Sequence, residues 1–339
     1  MRDADQKIQP RAILAPMTAP FPQRRYAVVL NAQAGRGLAL REWPRLEQAM
    51  QARGMTYQLV SASSGPEACA VLADLSPDVA ALAVGGDGTA HGLLPELTRS
   101  GRALGLVPLG SGNDLAGMLG LEAGDFAAAL GRLERLPQRL DMLEVTLESG
   151  PPTLLLNGLG MGFDAQVAAL MTAAPARWFG LPLSGFSRYL WAALSGLRGL
   201  ETSMLSVTLD GQTPDEQTPD EQRPDEQPFY SGPSCLAAVM NGSRYGGGFR
   251  IAPGADPQDG LLDLTLGGQL SRPALLPLMF RVLRGTHLSH KQVRHARAAQ
   301  ATLIWQTPIQ THLDGELAGR QRQLSVRVLP GALSFLSGR

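Results

Sequence analysis

An α/β domain followed by a second, mostly β domain is the fold class that this 339-residue sequence predicts. Three observations predict it. Over the first third of the chain, apolar runs of strand length alternate with helix-patterned stretches, the signature of a parallel sheet wrapped by helices. Several of those runs end in glycine-rich turns, the chemistry expected at the carboxyl edge of such a sheet. After Arg139 the helical spacing gives way to a series of short β-patterned segments.

The elements follow in order. Residues 1 to 23 are rich in Pro and charge without periodicity and read as a flexible leader, so order is expected to begin near Tyr26. Tyr26–Leu30 is a short apolar strand ending in Asn31-Ala-Gln-Ala-Gly35-Arg36-Gly37, and Leu38 to Arg53 carries Leu46, Ala49 and Met50 on one helix face. Thr56–Val60 is a second strand, and Pro66 to Leu75 a second helix. Val79–Val84 is an unbroken apolar run, the pattern of a strand buried on both faces, and it enters Gly85-Gly86-Asp87-Gly88-Thr89 directly. Ala103–Val107 is the next strand. The α/β domain is expected to span 24–140 and the second domain 141–330, with 331–339 a tail whose return to the first domain is left open.

In the second domain β-patterned segments stand at Met142–Leu147, Thr153–Leu156, Leu205–Leu209, Cys235–Met240, Leu262–Leu266, Ala301–Trp305 and Leu324–Val328. One helix interrupts them, with Leu190, Ala193, Leu194 and Leu197 at i, i+3, i+4 and i+7. Between Gln212 and Gln227 a Pro-Asp-Glu unit repeats three times with period five and offers nothing to pack, so it reads as a disordered, solvated insertion.

Composition narrows the function. With 44% hydrophobic and 18% charged residues the chain is globular, and 30 basic residues balance 30 acidic ones. Nothing in that balance points to a nucleic acid, so any phosphate affinity must be local. Lys7 and Lys291 are the only lysines, which excludes a P-loop Gly-Lys-Ser/Thr and the strand lysine of a protein kinase. Cys69 and Cys235 lack metal-ligand spacing and read as free intracellular thiols. No run of eighteen apolar residues occurs, so the expected location is cytoplasmic.

The turn Gly85–Thr89 is the strongest chemical signal. Glycines let backbone approach a phosphate, successive N–H groups supply positive potential, and Asp87 is placed to take a hydroxyl proton or hold a cation. The plainer reading is a strand-to-helix turn with Asp87 as its cap. Pro108-Leu-Gly110-Ser111-Gly112-Asn113-Asp114 follows another strand in the same way, and Arg36 is the natural phosphate fork in a chain almost without lysine. All three turns would face one crevice. Gly158-x-Gly160-x-Gly162 is a weak match to a dinucleotide fingerprint, because its third glycine comes one residue early.

Taken in order, Asn31-x-x-x-Gly35, Gly85-Gly-Asp-Gly-Thr89, Pro108-Leu-Gly-Ser-Gly-Asn-Asp114, Gly246-Gly-Gly-Phe249 with Ala252-Pro253, Asp259-Gly-Leu-Leu-Asp263 and Asp314-Gly-Glu316 resemble the diacylglycerol kinase catalytic-domain family, which includes bacterial lipid kinases and sphingosine kinases. The resemblance runs from about Tyr26 to Leu336. It implies a nucleotide-binding α/β domain like those of NAD kinase and phosphofructokinase, a C-terminal β-sandwich, and a site between them. It also implies transfer of the ATP γ-phosphate, with Mg2+, to a lipid hydroxyl at the inner face of a membrane. Diacylglycerol is the first choice of acceptor. A sphingoid base, another acylglycerol, a soluble metabolite as in NAD kinase, or no turnover at all are the alternatives.

Carried over residue by residue, Asn31, Gly35, Arg36, Arg41, Gly85, Gly86, Gly88, Thr89, Gly110, Ser111, Gly112 and Asn113 would line the nucleotide. Asp87 and Glu316 are the expected carboxylates of the chemistry, their division of labour open, with Asp114 ordering the site. Asp256 and Asp259 resemble a second, structural metal position, although Asp259-Gly260 reads equally well as an ordinary turn. Four positions depart from the family pattern: His91-Gly92 where Asn-Glu is usual, Gly117 where an Arg is common, and Ser111 in place of Thr.

Two surface features bear on the lipid. Residues 281 to 297 hold four arginines, Lys291 and three histidines without an acid, which reads as a solvated helix end or a surface for anionic lipid. His287, His290 and His295 share no helical face and are not expected to hold a metal. Trp178–Leu183 with Tyr189 and Trp191 reads as core packing, with an acyl-chain wall as the alternative. The oligomeric state is open, a homodimer included.

Overall fold

A computed structural model describes residues 24–110, 112–173, 177–178, 181–182, 185–210, 228–246 and 248–337. The expected leader, Ser111 and the 212–227 insertion lie outside the described residues.

Four parallel strands open the chain: β1 (Arg25–Leu30), β2 (Thr56–Val60), β3 (Ala80–Gly85) and β4 (Leu104–Pro108). They are connected by α1 (Ala34–Ala52), α2 (Gly65–Ala73), and the short pair α3 (Asp87–His91) and α4 (Leu94–Ser100). β1 lies between β2 and β3, and β4 follows β3, so the sheet runs 2-1-3-4. β3 and β4 are buried over their whole length, which is why they read as unbroken apolar runs. Then come α5 (Asp114–Met118) and α6 (Phe126–Leu133).

The second domain contains β5 (Gln138–Leu147), β6 (Thr153–Leu155), β7 (Gly158–Gly162), α7 (Phe163–Ala173), the two-residue strands β8 (Arg177–Trp178) and β9 (Leu181–Pro182), α8 (Gly185–Gly196), β10 (Ser203–Asp210), β11 (Tyr230–Ser234), β12 (Leu236–Met240), β13 (Leu262–Gly267), α9 (Arg272–Arg284), β14 (Val293–Ala298), β15 (Gln300–Leu313) and β16 (Glu316–Phe335). Its strands pair antiparallel. β15 serves two layers. Its first half pairs with β10, its last three residues pair with β7, and a register shift between Ile304 and Ile309 separates the two. That is how a strand turns the corner of a sandwich. Leu143, Val145, Val207, Val239, Leu303 and Trp305 fill the space between the layers.

β16 joins the domains. Past an irregularity between Leu329 and Leu333 it pairs with Gln138–Leu140 of β5, and Phe335 pairs parallel with Leu104 of β4. The tail therefore returns to the first sheet, where the Leu336 N–H donates to the Leu104 carbonyl at 2.8 Å and Arg132 holds the Ser337 carbonyl at 3.0 Å. Asp141 clamps this crossing: its carboxylate accepts the N–H groups of Gly260 at 2.8 Å and Gly331 at 2.7 Å.

Candidate active site

Strand order reverses between β1 and β3, so the chain leaves these strands toward opposite sides and opens a crevice at their carboxyl ends. The loop after β1 and the turn after β3 meet there. Asn31 Nδ2 donates to Thr89 Oγ1 at 3.1 Å, and Asn31 Oδ1 accepts the Gln33 N–H at 3.1 Å. A Cβ on Gly86 would lie 2.9 Å from the Gly110 Cα, so these two glycine turns touch backbone to backbone and admit no side chain. Gly35, Arg36 and Gly37 take left-handed conformations in succession. For Arg36 this costs about 1–2 kcal/mol, a local strain of the kind that clusters at ligand sites. Arg36 and Arg41 are both exposed.

The carboxylates converge beside these turns. Asp87 begins α3, and its two oxygens accept the N–H groups of Asp114 at 2.9 Å and Leu115 at 3.1 Å. Asn113, itself left-handed at φ 55°, closes the preceding loop by bonding both the N–H and the carbonyl of Gly110 at 2.9 Å. A Cβ on Gly112 would stand 3.3 Å from Asp87 Oδ2 and 3.6 Å from Asp114 Oδ2, so two carboxylates flank one open point. Burial pushes the Asp87 carboxyl above its ordinary range; the two N–H bonds oppose that shift and the Asp314 charge adds to it.

The second domain reaches this place through the β15–β16 hairpin. Asp314 (φ 46°) and Gly315 (φ 87°) form a two-residue turn with both residues left-handed, the geometry that Asp-Gly favours. The Asp314 carboxylate accepts the N–H groups of Leu156 (2.8 Å), Asn157 (3.0 Å) and Gly158 (2.8 Å), and His91 Nδ1 lies 3.0 Å from it. Burial opposes protonation of His91, yet the bond and charge of Asp314, with Glu316 adding, raise its pKa on balance. Glu316 follows the turn, exposed, with Oε1 3.9 Å from where a Cβ on Gly88 would be. The Asp87 turn and Glu316 thus face one cleft.

The departures from the family pattern acquire reasons. His91 ties the first domain to the hairpin. Gly92 is a glycine because α2 crosses there: a Cβ on it would lie 3.1 Å from the Gly65 Cα. A Cβ on Gly117 would collide with the Arg244 guanidinium, 2.8 Å from its Cζ. Neither Asp314 as a hub nor Arg244 was read from the sequence. The Asp-Gly turn signal was present for the first, and no local signal exists for the second.

Other expectations meet different surroundings. Asp256 Oδ1 accepts the Gln258 N–H at 3.1 Å, and Asp259 accepts the Leu261 N–H at 3.0 Å and pairs with Arg297. The basic stretch 281–297 is not free of acids in space: His295 pairs with Asp263 at 2.9 Å and Arg297 with Asp259. Buried His287 bonds the Ile251 carbonyl. Gly158, Gly160 and Gly162 form no nucleotide turn. They are the β7 strand itself, where a Cβ on Gly158 would strike the Met240 sulfur at 2.7 Å and one on Gly160 would lie 2.7 Å from the Asp164 carboxyl carbon. Cys69 and Cys235 are free. Trp191 packs into the apolar cluster around α7, α8 and α9, while the side chains of Trp178, Phe179 and Tyr189 lie outside the described residues.

Under α9 the sandwich holds a narrow cavity of about 60 Å³ lined by apolar side chains, among them Phe249, Ile251, Leu275, Leu278 and Met279, with the Asp164 carboxylate at its edge. Asp164 is itself held by buried His312 at 2.9 Å.

Comparison with known proteins agrees with this architecture. Residues 25–145 match the diacylglycerol kinase catalytic domain, and residues 158–337 match the YegS C-terminal NAD kinase beta sandwich-like domain. A diacylglycerol kinase of Mycobacterium tuberculosis is 29% identical over 262 residues, 77% of each chain. A protein named "Probable lipid kinase YegS-like" from Xanthomonas euvesicatoria pv. vesicatoria is 27% identical over 259 residues, 74% of this chain and 76% of its own. In fold, the chain superposes on the crystal structure of a diacylglycerol kinase from Bacillus anthracis str. Sterne with a TM-score of 0.62 at 16% identity, covering 93% of this chain and 97% of that one. The sheet order, the paired glycine turns, the carboxylate cleft and these matches together place the chain in the diacylglycerol kinase catalytic-domain family, with a YegS-type C-terminal domain.

Proposed function

We propose that this protein transfers the γ-phosphate of ATP, with magnesium, to a lipid hydroxyl, and that diacylglycerol is the acceptor, giving phosphatidic acid. The observation that carries the reading is the approach of Glu316, from the sandwich hairpin, to the Gly88 turn, beside the point flanked by Asp87 and Asp114. Phosphoryl transfer requires positioning and charge neutralisation above all. Asn31, Gly35, Arg36, Arg41, Gly85, Gly86, Gly88, Thr89, Gly110, Gly112 and Asn113 would hold the nucleotide.

The donor set fits magnesium. Among the described residues no three His, Cys, Asp or Glu side chains form a metal cage, and magnesium is usually held by one or two carboxylates with substrate phosphates and water. Asp87 and Asp114 would be those carboxylates, and the ion would neutralise charge on the transferring group. Both Asp87 oxygens are fixed by backbone N–H groups, whereas the exposed Glu316 carboxylate has no hydrogen-bond partner among the described residues. Glu316 is therefore the group free to orient and deprotonate the acceptor hydroxyl.

A lipid acceptor is favoured over a soluble one by the apolar cavity under α9, which a polar metabolite would not need. An acyl chain needs more room, so α9 would move outward. Phe280 of α9 is 50% exposed, and Arg284, one turn on, is exposed as well, which suits contact with an anionic bilayer surface.

The test is incubation with radiolabelled ATP, magnesium and micelles of diacylglycerol, ceramide, sphingosine or monoacylglycerol, with Asp87→Ala as control. Label in diacylglycerol that disappears in the variant is expected. Label in another lipid would rename the acceptor, and label in none, with ATP bound, would identify a binding protein without turnover.

A further inference from the structure

We propose that Arg244, from the sandwich domain, supplies a guanidinium that binds the nucleotide's phosphates, and that residue 117 is glycine in order to admit it. The inference rests on the phosphoryl-transfer reading above. Asn113, Asp114 and Gly117 stand at i, i+1 and i+4 around the start of α5, and positions three and four apart share a helix face. Over Gly117 the missing side chain leaves a gap, and the Arg244 guanidinium occupies it: a Cβ there would lie 2.8 Å from Cζ and 3.1 Å from Nε. The arginine belongs to the connection between β12 and β13, so it crosses from one domain to the other.

Its placement is fixed by its neighbours. The Arg244 carbonyl accepts a bond from Asn157 Nδ2 at 2.9 Å, and Gly242 packs so tightly that a Cβ on it would lie 2.8 Å from the Met118 methyl. Asn157 in turn donates its N–H to Asp314. Arg244 is therefore held by the same hub that carries Glu316 into the cleft. Yet among the described residues no carboxylate lies within salt-bridge distance of the half-buried Arg244, and no acceptor takes its side-chain N–H groups. A guanidinium has five donors in a planar fork, and none of those on Arg244 is both buried and unpaired, so they stay open to a ligand.

The charge of the cleft points the same way. Asp87, Asp114, Asp314 and Glu316 are acids, and His91 is already engaged by Asp314. A polyphosphate entering such a cleft needs cations, and a chain with two lysines must use arginine. Arg36 and Arg41 lie on the β1 side. Arg244 would close the opposite side, so that the nucleotide itself draws the domains together.

Calorimetric binding of ATP and of adenosine to the full chain tests this. Arg244→Met keeps the stem and removes the charge, and ATP should bind about 10- to 100-fold more weakly while adenosine binding and melting temperature stay at wild-type values. Arg244→Lys should fall between the two. Gly117→Ala should push the guanidinium aside and weaken ATP similarly, yet have no further effect when combined with Arg244→Met. Equal ATP affinity in wild type and Arg244→Met would overturn the inference alone. Parallel loss of ATP and adenosine would also overturn it, by showing a purely structural role. Failure of the wild type to bind ATP would overturn the phosphoryl-transfer reading, and this inference with it.

Discussion

Asp87 is asked to do two things with one carboxylate: accept the first two N–H groups of α5 and stand beside the open point over Gly112. Asp87→Asn keeps the size but leaves one acceptor oxygen and turns an amide N–H toward a backbone N–H. We expect a loss of about 1–3 kcal/mol in stability, read by denaturant titration, together with loss of lipid phosphorylation. Unchanged stability would show that α5 does not depend on this cap. His91 carries a pH signature. Its pKa is raised in the folded protein, so its bond to Asp314 contributes fully below the unfolded value of about 6.5, and that contribution is lost as pH rises through the higher folded value. The advantage of wild type over His91→Gln should be largest near pH 5.5, at about 1–3 kcal/mol, and shrink toward pH 9. A gap that stays constant across that range would mean the neutral ring suffices.

Among the elements, the β15–β16 hairpin is the piece on which the second domain's share of the cleft depends. Gly315 has φ 87° and open space within 4 Å of where a Cβ would stand, so a side chain there is opposed by backbone conformation alone. Gly315→Val should cost about 1–2 kcal/mol or more and displace Glu316, lowering kcat. Wild-type kcat in a folded Gly315→Val protein would remove Glu316 from the chemistry. The hairpin also marks where sequence reading succeeds and stops. β2 is legible to the residue, and β3 and β4 to within one, because strand-length runs bounded by turn-forming residues are local signals. β7 resembles a glycine fingerprint because its glycines answer to neighbours far away in sequence, Met240 and His312. α9 carries Pro277 inside it, which reads as a breaker, and β15 and β16 run past Pro308 and Pro330 that would ordinarily end a strand. The Gly117–Arg244 contact joins two domains and leaves no periodic trace.

At the scale of the whole molecule, the candidate site is divided: Asp87 and Asp114 come from the parallel sheet, Glu316 and Arg244 from the sandwich. A divided site keeps its geometry only if the two halves hold a fixed relation, and β16 provides it. The strand starts at Glu316 in the cleft, runs the length of the sandwich and ends with Phe335 and Leu336 inside the core of the first domain, where they are 0% and 1% exposed. Asp141 fixes the point of crossing by holding Gly260 and Gly331, and His91 with Asp314 fixes a second point. A chain stitched in this way should unfold as one unit although it contains two cores. Calorimetry of the wild type should therefore give a single transition whose calorimetric and van't Hoff enthalpies agree. Phe335→Ala removes a buried ring from the first core and should cost about 3–5 kcal/mol, and because the lost contacts are those between β16 and the first sheet, it should also split the melt, with the α/β domain unfolding first. Two transitions already present in the wild type would show that β16 does not couple the cores, and the geometry of the cleft would then have to be held by bound nucleotide.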